Sequence, residues 1–275
     1  MAIQIGFNGR FFPENWRPLQ QEVTFAHQQG FAYIQFALRD DYLRESTLKA
    51  HFDTASTLLQ QANLQAVMEI MVTVDAQGHP TTGGTLLDSL KDNLPAITRL
   101  PCTHVHWHLV PATPLDEGGL DQLEQQLTPV FQQAVELADK HHFQFGFEHN
   151  APQIGLFGTP TRCATLLEAV LGLNFVWDFN HTLPEHIIEF QALIPRTSHL
   201  HISDSPLPHV NHHLPLGQGN IDLAAYCTAL FEAGFKGPGI LEIGGNPASG
   251  GFGKDSDQAL AQSYHHLDQL INALN

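Results

Sequence analysis

The chain predicts an α/β fold, a (β/α)8 TIM barrel forming a single domain over residues 1–275. Short runs rich in Ile, Val and Phe alternate with longer segments of 3.6-residue periodicity, as repeated strand–helix units require. Eight such units follow one another without a linker, and barrels commonly reach 275 residues as one domain. No Gly-x-Gly-x-x-Gly follows the first strand, which removes the main signature of an open dinucleotide-binding sheet.

Strands are expected at IQIGFN (3–8), FAYIQFAL (31–38), LQAVMEIMVTV (64–74), THVHWHLV (103–110), FQFGFE (143–148), NFVWDF (174–179), SHLHIS (198–203) and GILEIG (239–244). Between them PLQQEVTFAHQQG, STLKAHFDTASTLLQQA and LDQLEQQLTPVFQQAVELADKHH each carry an apolar stripe and a Gly, Asn or His-rich end, the pattern of single helices. DSDQALAQSYHHLDQLINAL closes the cycle.

Four of the later strands finish on a metal-ligand type of residue: Glu148, Asp178, His201 and Glu242. Parallel strands closed into a barrel would bring all four out on one rim, where carboxylates and an imidazole make a divalent-metal site. Single carboxylates at strand ends often cap the next helix instead, but four in succession at apolar strand ends argue for a shared purpose.

Composition narrows the partners. Twelve Lys plus Arg against 28 Asp plus Glu give a formal charge of −16, which repels phosphate polymers and anionic lipid, so neither nucleic acid nor membrane is expected. Cys102, Cys163 and Cys227 are an odd number without CxxC spacing and read as reduced, buried residues. The start MAIQIGFNGRFF has no basic segment leading into a long apolar run, and a cytoplasmic location is expected.

EHN after strand five, DFNHT after strand six, HLHISDS after strand seven, the later HHLPLGQGNID and LEIGG at strand eight together resemble the xylose isomerase-like TIM barrel family. That superfamily includes sugar and sugar-phosphate isomerases and epimerases, inosose and dehydroshikimate dehydratases, and apurinic endonucleases. The resemblance implies that Glu148, Asp178, His201 and Glu242 hold one divalent ion, with Glu148 and Glu242 also moving protons. In the endonuclease branch further His residues and an Asp-x-His pair hold two more zinc ions. Here strand three offers Glu69 and Met71, and the strand-seven loop reads Asn211-His212-His213, with Asn where an acidic ligand would stand.

Further candidates flank this set. His181 follows Asp178 by three residues and is expected to donate a ring hydrogen to a neighbouring carboxylate, orienting it. His213 precedes LPLGQG as in many family members. His104, His106 and His108 share one strand face by period-two alternation; only His108 lies near enough to the C-terminal rim for a substrate, and the deeper two are expected to be satisfied core histidines. Asn8 and Arg10 follow strand one, and Arg39 follows strand two; Arg39 could bind a substrate carboxylate or phosphate, or form an ion pair with Asp40, Asp41 or a nearby Glu. Phe11, Phe12 and Trp16 could cover a substrate or a second copy of the chain in a homo-oligomer. GGNPASGGFGKDS after strand eight is expected to be a flexible loop and not a phosphate cradle.

An ion held by three carboxylates and one imidazole suits manganese (Mn2+), with Mg2+, Co2+ and Zn2+ also open. Such an ion can chelate a hydroxyl and an adjacent carbonyl, acidifying the C–H beside it, so that flanking carboxylates move the proton through an enediolate. The expected function is thus a metal-dependent sugar or polyol isomerase or epimerase. A dehydratase of a cyclic polyol or keto acid shares the first step. An endonuclease-like hydrolase and a non-catalytic sugar-binding barrel are further alternatives.

Overall fold

The computed structural model describes residues 3–245 and 247–274. Met1, Ala2, Asn246 and Asn275 lie outside the described residues. Eight parallel strands, β1 (Gln4–Asn8), β2 (Tyr33–Arg39), β3 (Gln65–Val74), β4 (Cys102–Pro111), β5 (Gln144–Glu148), β6 (Asn174–Asp178), β7 (Thr197–Ile202) and β8 (Pro238–Leu241), close in sequence order into a single-domain TIM barrel. β8 pairs with β1 in the register Gln4↔Pro238 to Phe7↔Leu241, which completes the ring.

The main outer helices are α1 (Leu19–Gln29), α3 (Phe52–Gln61), α4 (Leu86–Arg99), α5 (Glu117–His141), α6 (Pro160–Ala169), α8 (Leu223–Glu232) and α9 (Asp257–Asn272), with short helices α2 (Glu45–Leu48) and α7 (Ile187–Gln191). Their starts follow from local chemistry. Thr85 and Asp88 form a reciprocal capping box on α4, and Asp116, Thr159 and Ser256 each accept a backbone N–H at the start of α5, α6 and α9.

The segment expected as one helix over 46–62 is two. Lys49 adopts a left-handed φ of 52° and ends α2, and Glu45 then caps α3 by accepting from the Phe52 N–H. β8 is shorter than expected: Glu242 still donates its N–H to the Ile202 carbonyl, but Gly244 and Gly245 (φ 110° and 67°) turn the chain away.

Alternation along each strand divides two interiors. One set of side chains, including Phe7, Phe36, Trp107, Phe145, Phe147, Phe175 and Trp177, packs outward under the helices in an aromatic-rich shell. Trp107, for example, meets Phe131 of α5 at 5.4 Å and Phe145 at 4.8 Å, both edge-on. The other set faces the barrel axis and is polar: Gln35, Glu69, His106, Glu148, Asp178, His199 and His201 are all buried. Tyr33, Val67 and Ile240 form a small apolar plug at one level of this axis. Gly6 is required beside it, because a Cβ there would stand 2.6 Å from the Tyr33 Cβ and 2.7 Å from the Ile240 Cδ1.

β3 and β4 are the longest strands, with ten residues each, and stay paired as far as Val74↔Pro111. Beneath the site the His106 and His199 rings lie 4.7 Å apart, tilted by 59°, and His199 meets His104 at 5.5 Å. As expected, His104 is satisfied, by the Thr103 hydroxyl at 2.8 Å.

Burial, helped by nearby His106, lowers the His104 imidazole to about 4. Because the fold favours neutral His104, its contribution to stability is present above the unfolded value of about 6.5 and is lost as pH falls from there to about 4. The expected loss is at most about 1.4 kcal/mol per pH unit across that window. Thermal melts against pH should therefore show a shallower acid fall for His104→Phe than for the parent chain; identical curves would refute the assignment.

Candidate metal centre

Glu148 ends β5, Asp178 ends β6, His201 lies in β7, and Glu242 directly follows β8. One ligand atom from each of these four lies within 4.8 Å of those from the others, and all four residues are buried. The His201 Nδ1 stands 3.2 Å from Glu148 Oε2 and 3.0 Å from Glu242 Oε2. Despite these distances, His201 Nδ1, both Glu148 oxygens, Asp178 Oδ2 and Glu242 Oε2 are buried with no hydrogen-bond partner. Buried polar atoms are normally satisfied, so five left over in one place need a shared partner. The donor set of three carboxylates and an imidazole fits a divalent cation.

The remaining atoms of these residues are engaged in ways that aim the free ones. Asp178 Oδ1 accepts from the Asn180 N–H at 2.7 Å, which leaves Oδ2 to face inward. His201 Nε2 is 3.0 Å from Gln35 Oε1, which cannot donate, so Nε2 carries the hydrogen and Nδ1 is the atom offered to an ion. Gln35 in turn donates to Glu69 Oε2 at 3.1 Å, and Glu69 Oε1 stands 3.3 Å from His108 Nδ1. His108 Nε2 reaches Asn150 Oδ1 at 3.0 Å, and Asn150 donates to the carbonyls of Leu109 and Leu156. A chain of polar contacts thus runs from β7 through β2, β3 and β4 to the loop after β5.

Electrostatics are set by opposite charges held without water. Burial alone would raise Glu148, yet His108 and His201 beside it hold it well below the usual carboxylate range. Glu242 is brought to about 2 against its burial, chiefly by His201. Asp178 moves up because its burial outweighs nearby His181. Burial opposes charge on His201 and His108, but Glu148 and Glu242 push His201 well up, and Glu148 with Glu69 pushes His108 to about 10. Protons on these imidazoles balance the carboxylates, and a bound ion would take over that charge.

Over the cluster lies a cavity of about 410 Å³. Its lining includes Asn8, Arg39, Glu69, His108, His181, His213 and Glu242, so Asn8, Arg39, His108, His181 and His213 of the flanking candidates share one cavity. Their contacts differ from expectation in places. His181 Nδ1 donates to the His149 carbonyl at 2.9 Å, so the ring hydrogen goes to backbone and not to a carboxylate, and Nε2 faces Asp178 Oδ2 at 3.3 Å. His108, Glu148 and His181 form a further ligand-type trio, as do Asp178, His181 and His213. His106 is only half satisfied as a core histidine: its Nδ1 meets His199 Nε2 at 3.0 Å, but its Nε2 faces Glu148 Oε2 at 3.6 Å without a hydrogen bond. His213 has φ 50° and is held between the Glu242 carbonyl and Asn211 Oδ1.

Arg10 lies outside this set, bound to buried Glu22 at 2.7 and 3.0 Å and to Asp257. Phe11 stacks on Phe36, and Trp16 is covered by Lys49 and donates to the Thr47 carbonyl, so of the three early aromatics only Phe12 reaches the cavity. The Gly-rich loop after β8 is pinned: Gly244 N–H donates to the His213 carbonyl, and Gly251 N–H and Ser249 Oγ donate to that of His212. Asp204 organises the loop that it grips, accepting from the N–H groups of Ser205, Gly217, Gly219 and Ile221. Gln35, Asn150 and Asp204 went unrecognised in the sequence, and Glu69 was noted only as what strand three offers; the one available signal was a polar residue at an inward position of an apolar run, as for Gln35 and Glu69.

The family model described as xylose isomerase-like TIM barrel matches residues 23–270. No curated protein matches the chain in sequence. Among solved structures, the IOLI protein with a bound zinc atom is similar at 18% identity, covering 99% of both chains with a TM-score of 0.79. The 3-keto-D-glucoside 4-epimerase YcjR from E. coli is 16% identical, covering 98% of this chain and all of its own, with a TM-score of 0.75. The D-allulose 3-epimerase from Methylomonas sp., solved with D-allulose, is 16% identical over 97% of this chain and 96% of its own, at a TM-score of 0.71. At these identities the likeness concerns the fold.

Two measurements check the centre. Elemental mass spectrometry on protein purified without chelator should find about one divalent ion per chain, and Asp178→Asn should lose it; two or three zinc ions would bring the two further trios into use. Because Gln35 fixes the His201 tautomer, Gln35→Leu should weaken metal affinity by about 10–100-fold in a chelator competition titration. Unchanged affinity would mean that Gln35 does not orient the ligand.

Proposed function

The chain belongs to the xylose isomerase-like TIM barrel family, and on that premise we propose that it is a divalent-metal-dependent isomerase or epimerase of a sugar or polyol. The observation that carries this reading is the set of five unpartnered buried atoms on Glu148, Asp178, His201 and Glu242 beneath a cavity of about 410 Å³. Several solved structures of the same fold are sugar epimerases, and two of them hold D-allulose or D-tagatose.

In this reading Asp178 and His201 hold the ion, and Glu148 and Glu242 both hold it and move the proton. The ion, when bound, would polarise a substrate carbonyl and acidify the neighbouring C–H. Glu242 lines the cavity and meets substrate directly. Glu148 comes from β5, separated from β8 by β6 and β7, so the two carboxylates approach a common point from different sides. One removes the proton and the other returns it to the same or the adjacent carbon. Glu148 is buried with both oxygens unpartnered, which leaves one free for a proton when the other holds the ion; His108 and His201 weaken it as a base for as long as they stay charged beside it. His108 and His181 line the cavity beside Glu148 and in this reading form one wall of the substrate site.

Glu148→Gln should lower kcat by about 10²–10⁴-fold while circular dichroism stays that of the parent; full activity would sink the mechanism. A panel of sugars in deuterated water, followed by NMR, tests the reaction class. Solvent deuterium on carbon without loss of water is expected. An unsaturated product would make the protein a dehydratase, which forms the same enediolate and then expels a hydroxyl.

A further inference from the structure

We propose that the substrate carries an anionic group, a carboxylate or a phosphate, and that Arg39 binds it at the rim of the cavity. The inference rests on the isomerase reading and names the substrate class for the same site. It begins with strand alternation. Gln35 points to the barrel axis, where it meets His201 and Glu69, so Ala37 and Arg39 follow on the same face at rising levels. Ala37 is small and leaves the axis open above Gln35. Arg39, the last residue of β2, lines the cavity and is exposed.

Both carboxylates that follow Arg39 in the chain are committed elsewhere. Asp40, at φ 50°, turns its side chain to Thr73 and accepts from the Thr73 N–H at 2.6 Å and hydroxyl at 2.9 Å. Asp41 pairs with Arg44 at 2.9 Å. The ion pair that would make Arg39 a plain surface residue is therefore not formed.

The other arginines have their partners. Arg10, Arg17, Arg44, Arg99 and Arg162 pair with carboxylates, and Arg196 donates to the carbonyls of Leu167, Val170 and Leu173. Arg39 alone among them makes neither kind of contact among the described residues. In a chain with 28 acidic and 12 basic residues, an arginine without a carboxylate is unexpected. Its guanidinium carbon lies over the ring of Phe12 at 4.8 Å. Stacking of that kind holds the planar fork by its face and leaves N–H donors free along its edge, the geometry that takes a carboxylate or phosphate in a bidentate manner.

The span to the metal-ligand cluster is right for a sugar. Arg39 pairs in register with Met71, and Met71 with His108, whose Nδ1 is 3.2 Å from Glu148. Two strand spacings put the Arg39 and His108 backbones about 10 Å apart. A sugar with its carbonyl end at the cluster and an acid group at its far end bridges that distance, helped by the length of the arginine side chain.

The test is binding of three matched ketoses to the manganese-loaded protein by calorimetry: D-fructose, D-fructuronate with a carboxylate at its far carbon, and D-fructose 6-phosphate. At least one of the two acids should bind about tenfold or more tighter than D-fructose, and Arg39→Gln should erase that preference, with the melting temperature unchanged. Whichever acid is preferred identifies the group. Arg39→Lys, which keeps charge without the fork, should restore only part of it. Equal binding of all three, or a preference that survives in Arg39→Gln, overturns the anionic class and leaves the isomerase reading intact. Binding of none of the three overturns the sugar reading together with it.

Discussion

Everything near the rim is arranged around one electrostatic problem, three carboxylates brought together away from water. Unpaired, each would carry a large desolvation cost, and like charges at such distances oppose one another. The barrel answers with imidazoles interleaved among them: His201 between Glu148 and Glu242, His108 between Glu148 and Glu69, and His181 beside both Glu148 and Asp178. Such a cluster is stable only if something positive occupies it, whether protons on the histidines or a cation. The polar lining of the axis, where branched aliphatic residues are the rule in barrels of this kind, follows from the same requirement.

Around that cluster the structure spends its hydrogen bonds on direction. Carboxylate and ring atoms pointing away from the centre are tied to Asn180, Gln35 and the His149 backbone, and those pointing in are left unpartnered. Gln35 and Glu69 matter because they join β2 and β3 to His201 on β7, across the barrel. The second half of the rim is built differently. There Asp204 gathers four backbone N–H groups and the Gly-rich loop clasps the carbonyls of His212 and His213, so His213 is positioned mostly by main chain.

The residues at strand ends were legible in the sequence because a boundary error of a residue or two does not move a strand end off the rim. Glu242 shows this: β8 is shorter than expected, and the carboxylate still faces the cavity. Partners reached across the barrel were not legible, since Gln35 and His201 are 166 positions apart and their meeting depends on register and closure. The break at Lys49 escaped notice for another reason, as neither Gly nor Pro marks it. Period-two alternation placed His104, His106 and His108 on one face correctly, but depth along the axis separates a satisfied imidazole at His104 from one at His106 that confronts Glu148.

The ribbon of β3 and β4 has a steric effect on what can reach this centre. With His104 level with Gln144 in β5 and Trp107 level with Phe147, β4 continues past Glu148 to Pro111, a rise of about 10 Å above the neighbouring strand. One flank of the mouth is therefore a parapet, stiffened by the fold-back of the chain from Val74 to Pro80 and Thr81. A broad, rigid polymer laid across the rim would ride on that parapet with its reactive bonds held off the carboxylates. Small, compact molecules can slip down beside it, so the height of two strands filters by size before any polar group is consulted.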